Sequence, residues 1–238
     1  MLRRLEAPFT LYVATGFAER TARLWWIELE EAIRRLDRIE LTIAGQRFSM
    51  AAGMDAEKMR CFNQLYWSLR AGPEEYLLEA AAELTDAAGV DRRALVETLC
   101  MNWEEIEVFA QEPLCTIGVH TLSHPMLAKH RTERVHEELA ESRARIERQI
   151  GRPAVHLAYP VGDRTSAGPR EFALARDLGF KSAVTTRKGM VFAEHAVHPT
   201  ALPRLSINGA FQTPGALQVL LSGAPFFLRN FGRRLDVD

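Results

Sequence analysis

From residue 113 to residue 207 the chain alternates apolar strand-type runs with polar loops and charged helices, and this alternation limits the fold more than any other feature. Thr116-Ile117-Gly118-Val119 ends in a polar loop, and 132–150 follows as a long charged amphipathic helix stopped by Gly151-Arg152-Pro153. Val155-His156-Leu157-Ala158-Tyr159 reads as the next strand and Pro160-Val161-Gly162-Asp163 as its exit loop. A helix over 168–178 is closed by Gly179, then come a strand at 182–186 and another at 201–207. Strands joined by helices lie side by side in one direction, because each helix carries the chain back to the edge it left. The reading is α/β, with a parallel sheet or barrel whose chemistry sits at the carboxyl ends of the strands. His120, Tyr159 and Thr186 are placed at such ends.

The rest of the chain is read around this frame. Residues 9–14 form a buried-type strand, and Trp25-Trp26 leads into a helix over 27–33. Residues 39–43 and 46–50 alternate with period two around Ala44-Gly45, which predicts a hairpin. From 55 to 111 the pattern is helical, with Asp55, Asp91 and Asn102 at N-cap positions. This stretch, about 50–112, reads as a helical insertion in one domain of 1–238, and a last helix is predicted over about 214–231.

Charge excludes some roles. With 30 Lys+Arg against 31 Asp+Glu, bulk electrostatics supports no nucleic-acid or membrane-surface binding. Three scattered cysteines, Cys61, Cys100 and Cys115, fit reduced thiols rather than a disulfide framework or a thiolate zinc knuckle. The first residues hold no signal-peptide core and no apolar run reaches ~20 residues, so the expectation is a cytoplasmic protein with no integral membrane segment.

His120 and His124 stand four apart with Thr121 and Ser123 between them and Pro125 behind. Two imidazoles on a loop at a strand end suit one divalent ion, although unliganded loop histidines have the same pattern. A carboxylate is the expected third ligand, and Asp163 is the nearest by strand position. Tyr159-Pro160-Val161-Gly162-Asp163 reads as a site wall offering backbone N–H groups to an oxyanion, or as a plain turn. His195 and His198 are candidates for a general acid, against a bland reading as surface loop histidines.

These residues carry a resemblance. His120-Thr121-Leu122-Ser123-His124-Pro125 resembles the second motif of NodB-type polysaccharide deacetylases, carbohydrate esterase family 4, and 157–163 is similar to the third. Gly179 to Thr186 and Leu202-Pro203-Arg204-Leu205 resemble the strands that follow. The likeness runs over roughly 113–210, extends to 7–36, and leaves 50–112 unexplained. It implies a distorted (β/α) barrel and a metal-dependent hydrolase removing N-acetyl groups from N-acetylglucosamine-containing oligo- or polysaccharide. By that resemblance His120 and His124 are metal ligands, for zinc first and for cobalt, nickel or manganese otherwise. Tyr159 is the backbone oxyanion contact, and Tyr159, Pro160 and Arg204 are substrate contacts.

The family's Thr-Phe-Asp-Asp-Gly motif, which supplies the general base and the third metal ligand, is absent, and Arg204 stands where many members carry an acid histidine. The expectation is therefore a barrel incomplete at the N-terminus and impaired in catalysis. Two other readings stay open: a non-catalytic carbohydrate-binding remnant of the family, and another metal-dependent amidohydrolase.

Overall fold

A computed structural model describes residues 2–43, 45–209 and 211–238. Ala44 of the expected hairpin turn lies outside the described residues. In chain order the elements are β1 (Phe9–Val13), α1 (Thr15–Ala18), α2 (Trp25–Arg35), β2 (Arg38–Ile43), β3 (Gln46–Ala51), α3 (Asp55–Ala71), α4 (Glu74–Ala87), α5 (Arg92–Leu99) and α6 (Trp103–Ala110). Then follow β4 (Cys115–Val119), α7 (Thr132–Ile150), β5 (His156–Ala158), α8 (Pro169–Asp177), β6 (Ser182–Lys188), β7 (Leu202–Arg204), α9 (Pro214–Leu221) and α10 (Ala224–Arg229). The chain divides into two compact units, one made of 1–15 with 103–238 and the other of 16–102.

The unit of 16–102 is helical around one hairpin. Trp25, Leu29, Ala32 and Ile33 form the buried stripe of α2, and Leu77, Ala80, Ala81 and Leu84 that of α4. Both follow helical spacing, so the two helices close on each other. β2 and β3 pair antiparallel, and Ile39 and Leu41 bury one face of the hairpin. Asp91 caps α5 as its position suggests, accepting the N–H groups of Arg93 and Ala94 at 3.0 Å each. Asp55 does not cap α3. It is the first helical residue, and the Glu57 carboxylate instead takes the Gly53 and Met54 N–H groups at 3.0 and 3.1 Å.

The unit of 1–15 and 103–238 holds the parallel sheet, in the order β1-β4-β5-β6-β7. Each strand of this sheet lies beside the one before it, with no reversal of direction. That is the winding of a (β/α) barrel rather than of a doubly wound sheet, whose order switches at its centre. The fold is α/β, as the alternation requires. The sheet stays open among the described residues, with β1 and β7 as its edges.

Its core includes Ile117, Val119, Leu157 and Ala183 of the sheet and Val135, Leu139 and Ile146 of α7, all buried. Each large side chain buried there contributes about 1.5–3 kcal/mol. α7 runs over the residues the periodicity gives, and Gly151 ends it in the left-handed region (φ 70°). Three expectations shift. β7 has three residues rather than seven, because the chain leaves the sheet after Arg204. β6 continues to Lys188, so Thr186 is not its last residue. The expected final helix is two, broken at Gly223, whose φ of 75° no helix accommodates.

Candidate functional site

The site is built where β4 ends. His120 extends the β1–β4 ladder, donating its N–H to Val13 O at 2.9 Å. Its ring then turns to β5, where Nδ1 lies 2.6 Å from Ala158 O. A carbonyl only accepts, so Nδ1 carries the proton and a neutral ring keeps its lone pair on Nε2. Thr121 and His124 both adopt left-handed backbone (φ 70° and 60°), which costs a residue with a Cβ roughly 1–2 kcal/mol.

Local bonds hold that strain. The His124 N–H donates to Thr121 Oγ1 at 3.0 Å. Thr121 O accepts the Thr15 N–H at 3.1 Å and the Ser142 hydroxyl at 2.8 Å. The outcome is two imidazoles with ring centroids 4.9 Å apart and planes at 74°.

Burial sets their charge. It lowers the His120 pKa to about 4, the bond to Ala158 opposing and the nearby Arg204 charge adding to the shift. His124 falls to about 3, through burial first and His120 second. Both rings are neutral at pH 7, the form that ligates metal. In donor chemistry the pair therefore suits a divalent ion of zinc type. A catalytic site needs about three protein ligands, and among the described residues no group of three His, Cys, Asp or Glu could hold a metal. Asp163 does not complete the set. Its carboxylate accepts the Thr165 N–H, the Thr165 hydroxyl and the Ser166 hydroxyl at 3.0, 2.7 and 3.0 Å, which fixes its own loop.

The β5 exit loop needs one correction. The Tyr159 N–H donates to Val184 O at 3.1 Å as part of the sheet, so it is not free for an oxyanion. The Tyr159 side chain is fully buried, its hydroxyl donating to Thr200 O at 2.8 Å. Pro160 has no N–H, and its buried carbonyl accepts from Gly162 N at 2.6 Å. Val161 remains. It is in the left-handed region (φ 60°), and its N–H has no acceptor among the described residues. Gly162 makes this turn possible. At φ 68°, an added Cβ would lie 2.9 Å from Thr186 N. Thr121, His124 and Val161 are three of the six described non-glycine residues with positive φ, so backbone strain concentrates at this corner, as it does at functional sites.

Arg204 ends β7, and its charge acts on His120 and on the Tyr12 hydroxyl of β1, whose pKa burial raises. Tyr12 shares the register position of Gly118, where a Cβ would meet the Tyr12 ring at 2.6 Å. Tyr12 was not singled out from sequence. The available signal was a glycine inside a strand, which marks a close approach.

His195 and His198 are not brought to the pair. His195 is buried, and its Nδ1 accepts the Phe192 N–H at 3.1 Å in the turn over Ala193–Val197. His198 closes that turn, with backbone bonds to His195 O and from Ala201 N.

Residues 75–183 match the family model of the polysaccharide deacetylases. This is the family that the histidine loop resembles. The match holds both histidines, Tyr159 and Val161, stops short of His195 and Arg204, and takes in α6 and most of α4, which the motif likeness had left aside. None of the curated proteins matches the chain. Among solved structures, the chain is similar to the Streptococcus pyogenes deacetylase PplD in complex with acetate (22% identity, 50% of each chain covered, TM-score 0.45). It is similar to IcaB from Ammonifex degensii (22%, 51% of this chain and 52% of that one, 0.43). It is also similar to a de-N-acetylase from Aggregatibacter actinomycetemcomitans (10%, 92% and 67%, 0.47). The chain spans about half the length of the first two.

Proposed function

We propose that the corner formed by β4, β5 and their loops is the imidazole half of a carbohydrate N-deacetylase centre. His120 and His124 would hold a divalent ion, zinc by preference, and the ion would supply Lewis acidity toward an N-acetyl carbonyl. The chain's own part is defined by the bonds above. Ala158 O fixes the His120 tautomer, burial keeps both rings unprotonated, and the Val161 N–H is the donor suited to an oxyanion. The charge of exposed Arg204 acts on His120, and its guanidinium suits hydroxyl or anionic groups of a sugar. The substrate class is N-acetylglucosamine-containing oligo- or polysaccharide. The observation that carries this reading is the close His120–His124 pair lying inside the segment that matches the deacetylase family.

Among the described residues no carboxylate joins the pair, so we assign the chain weak metal binding and little turnover unless carboxylates come from elsewhere. The test is acetate release from N-acetyl-chitooligosaccharides with added zinc or cobalt. One arm uses this chain, and a second uses a version lengthened by a strand bearing an Asp-Asp pair. Release near background in the first arm and above it in the second is expected. Vigorous release by the unmodified chain would refute the impairment.

Among the described residues the pair has no third ligand, which leaves a second reading, a module that binds carbohydrate without cleaving it. Saturable sugar binding with no acetate release in either arm would select it.

A further inference from the structure

We propose that Glu138 of α7 is the positioning residue for the histidine pair. This rests on the pair being the metal site proposed above. Glu138 lies in the middle of a helix, far from either cap, with its side chain only 5% exposed. A carboxylate so buried is costly unless its oxygens are satisfied, and nothing in the reaction calls on it. Its oxygens are given to the loop. Oε2 accepts the Leu122 and Ser123 N–H groups, each at 2.9 Å, and Oε1 accepts the Ser123 hydroxyl at 2.6 Å. The Arg134 guanidinium, 3.4 Å from Oε1, offsets the charge.

One turn later on the same face, Ser142 binds Thr121 O. Between them, two side chains of α7 reach every residue that separates His120 from His124. The loop holds two left-handed residues, Thr121 and His124, and relaxation of either would change how the rings face each other. Glu138 opposes that relaxation because both N–H groups must point at one oxygen. Partners of this kind, outside the ligands themselves, typically change metal affinity 10–100-fold when removed.

The test compares zinc binding by calorimetry in wild type, Glu138→Ala and Glu138→Gln, beside amide hydrogen exchange at Leu122 and Ser123 without metal and thermal unfolding of each variant. Glu138→Ala should weaken zinc binding by about 10-fold or more and speed exchange at both amides. Glu138→Gln keeps one oxygen for the two N–H groups and should stay within about 3-fold of wild type. Equal affinity in wild type and Glu138→Ala overturns the proposal. So does an equal loss in both variants with unfolding temperatures unchanged. If Glu138→Ala does not fold, Glu138→Gln decides: near-native affinity and exchange support the role, and lost affinity in a folded variant overturns it. If wild type binds no zinc, the metal reading fails by itself, and exchange at the two amides then decides the positioning role.

Discussion

Two loops of this protein each carry a pair of histidines after a strand, and they come to different ends. In the loop after β4, the residues between His120 and His124 are held by Glu138 and Ser142 of α7, the His124 N–H is held by the Thr121 hydroxyl, and the two rings meet edge to face. In the loop after β6, His195 turns inward, takes the Phe192 N–H and lies against the Phe192 ring at 6.2 Å between centroids. The first loop bends its backbone to present side chains. The second uses its side chain to settle its backbone. The residue type is the same in the two loops and the spacing differs by one, four against three; what separates them further is whether a neighbouring element holds the backbone, leaving the rings for other work.

The contrast can be sharpened in order of expected effect. The largest concerns pH. Burial lowers the His120 and His124 pKa values from 6.5 to about 4 and about 3. The unfolded chain therefore binds more protons between pH 6.5 and 3, and stability must fall as pH is lowered through that window. It is fully present above 6.5 and lost below the folded values. Urea unfolding of the metal-free chain across this range should show a slope that flattens in His124→Gln. An unchanged slope would mean the rings are not buried as a pair.

Next comes the wall beside the pair. Gly162→Ala places a Cβ 2.9 Å from Thr186 N at φ 68°, and should destabilise by about 1–3 kcal/mol. Denaturant unfolding reads this directly, and a neutral effect would mean the Val161–Gly162 turn is loose. Smaller again is His195→Ala, which removes one bond and some packing, about 1–2 kcal/mol. It should leave zinc affinity unaltered. A fall in affinity would place the second loop in the site after all.

The winding of the sheet was legible in the sequence because period-two runs and amphipathic helices alternate strictly after residue 113. Gly151, Gly179 and Asp91 stand where the chain turns or caps, each for a local reason. The histidine pair was legible from spacing and from Pro125. Other features were not. Whether the Tyr159 N–H is free depends on how far β6 reaches along β5, a register that no local pattern specifies. The role of Val161 depends on a left-handed φ that a β-branched residue rarely takes, so its sequence argues against what its turn enforces. Glu138 reads as one more charge on a charged helix until the loop is seen to fold onto it.

Zinc titration of six proteins tests the proposed metal pair: wild type, His120→Ala, His124→Ala, the double variant, His195→Ala and His198→Ala. One weak site in wild type is predicted, lost with about 100-fold weaker binding in either His120→Ala or His124→Ala, and kept in the other two single variants. Zinc binding that survives loss of both His120 and His124 would contradict it.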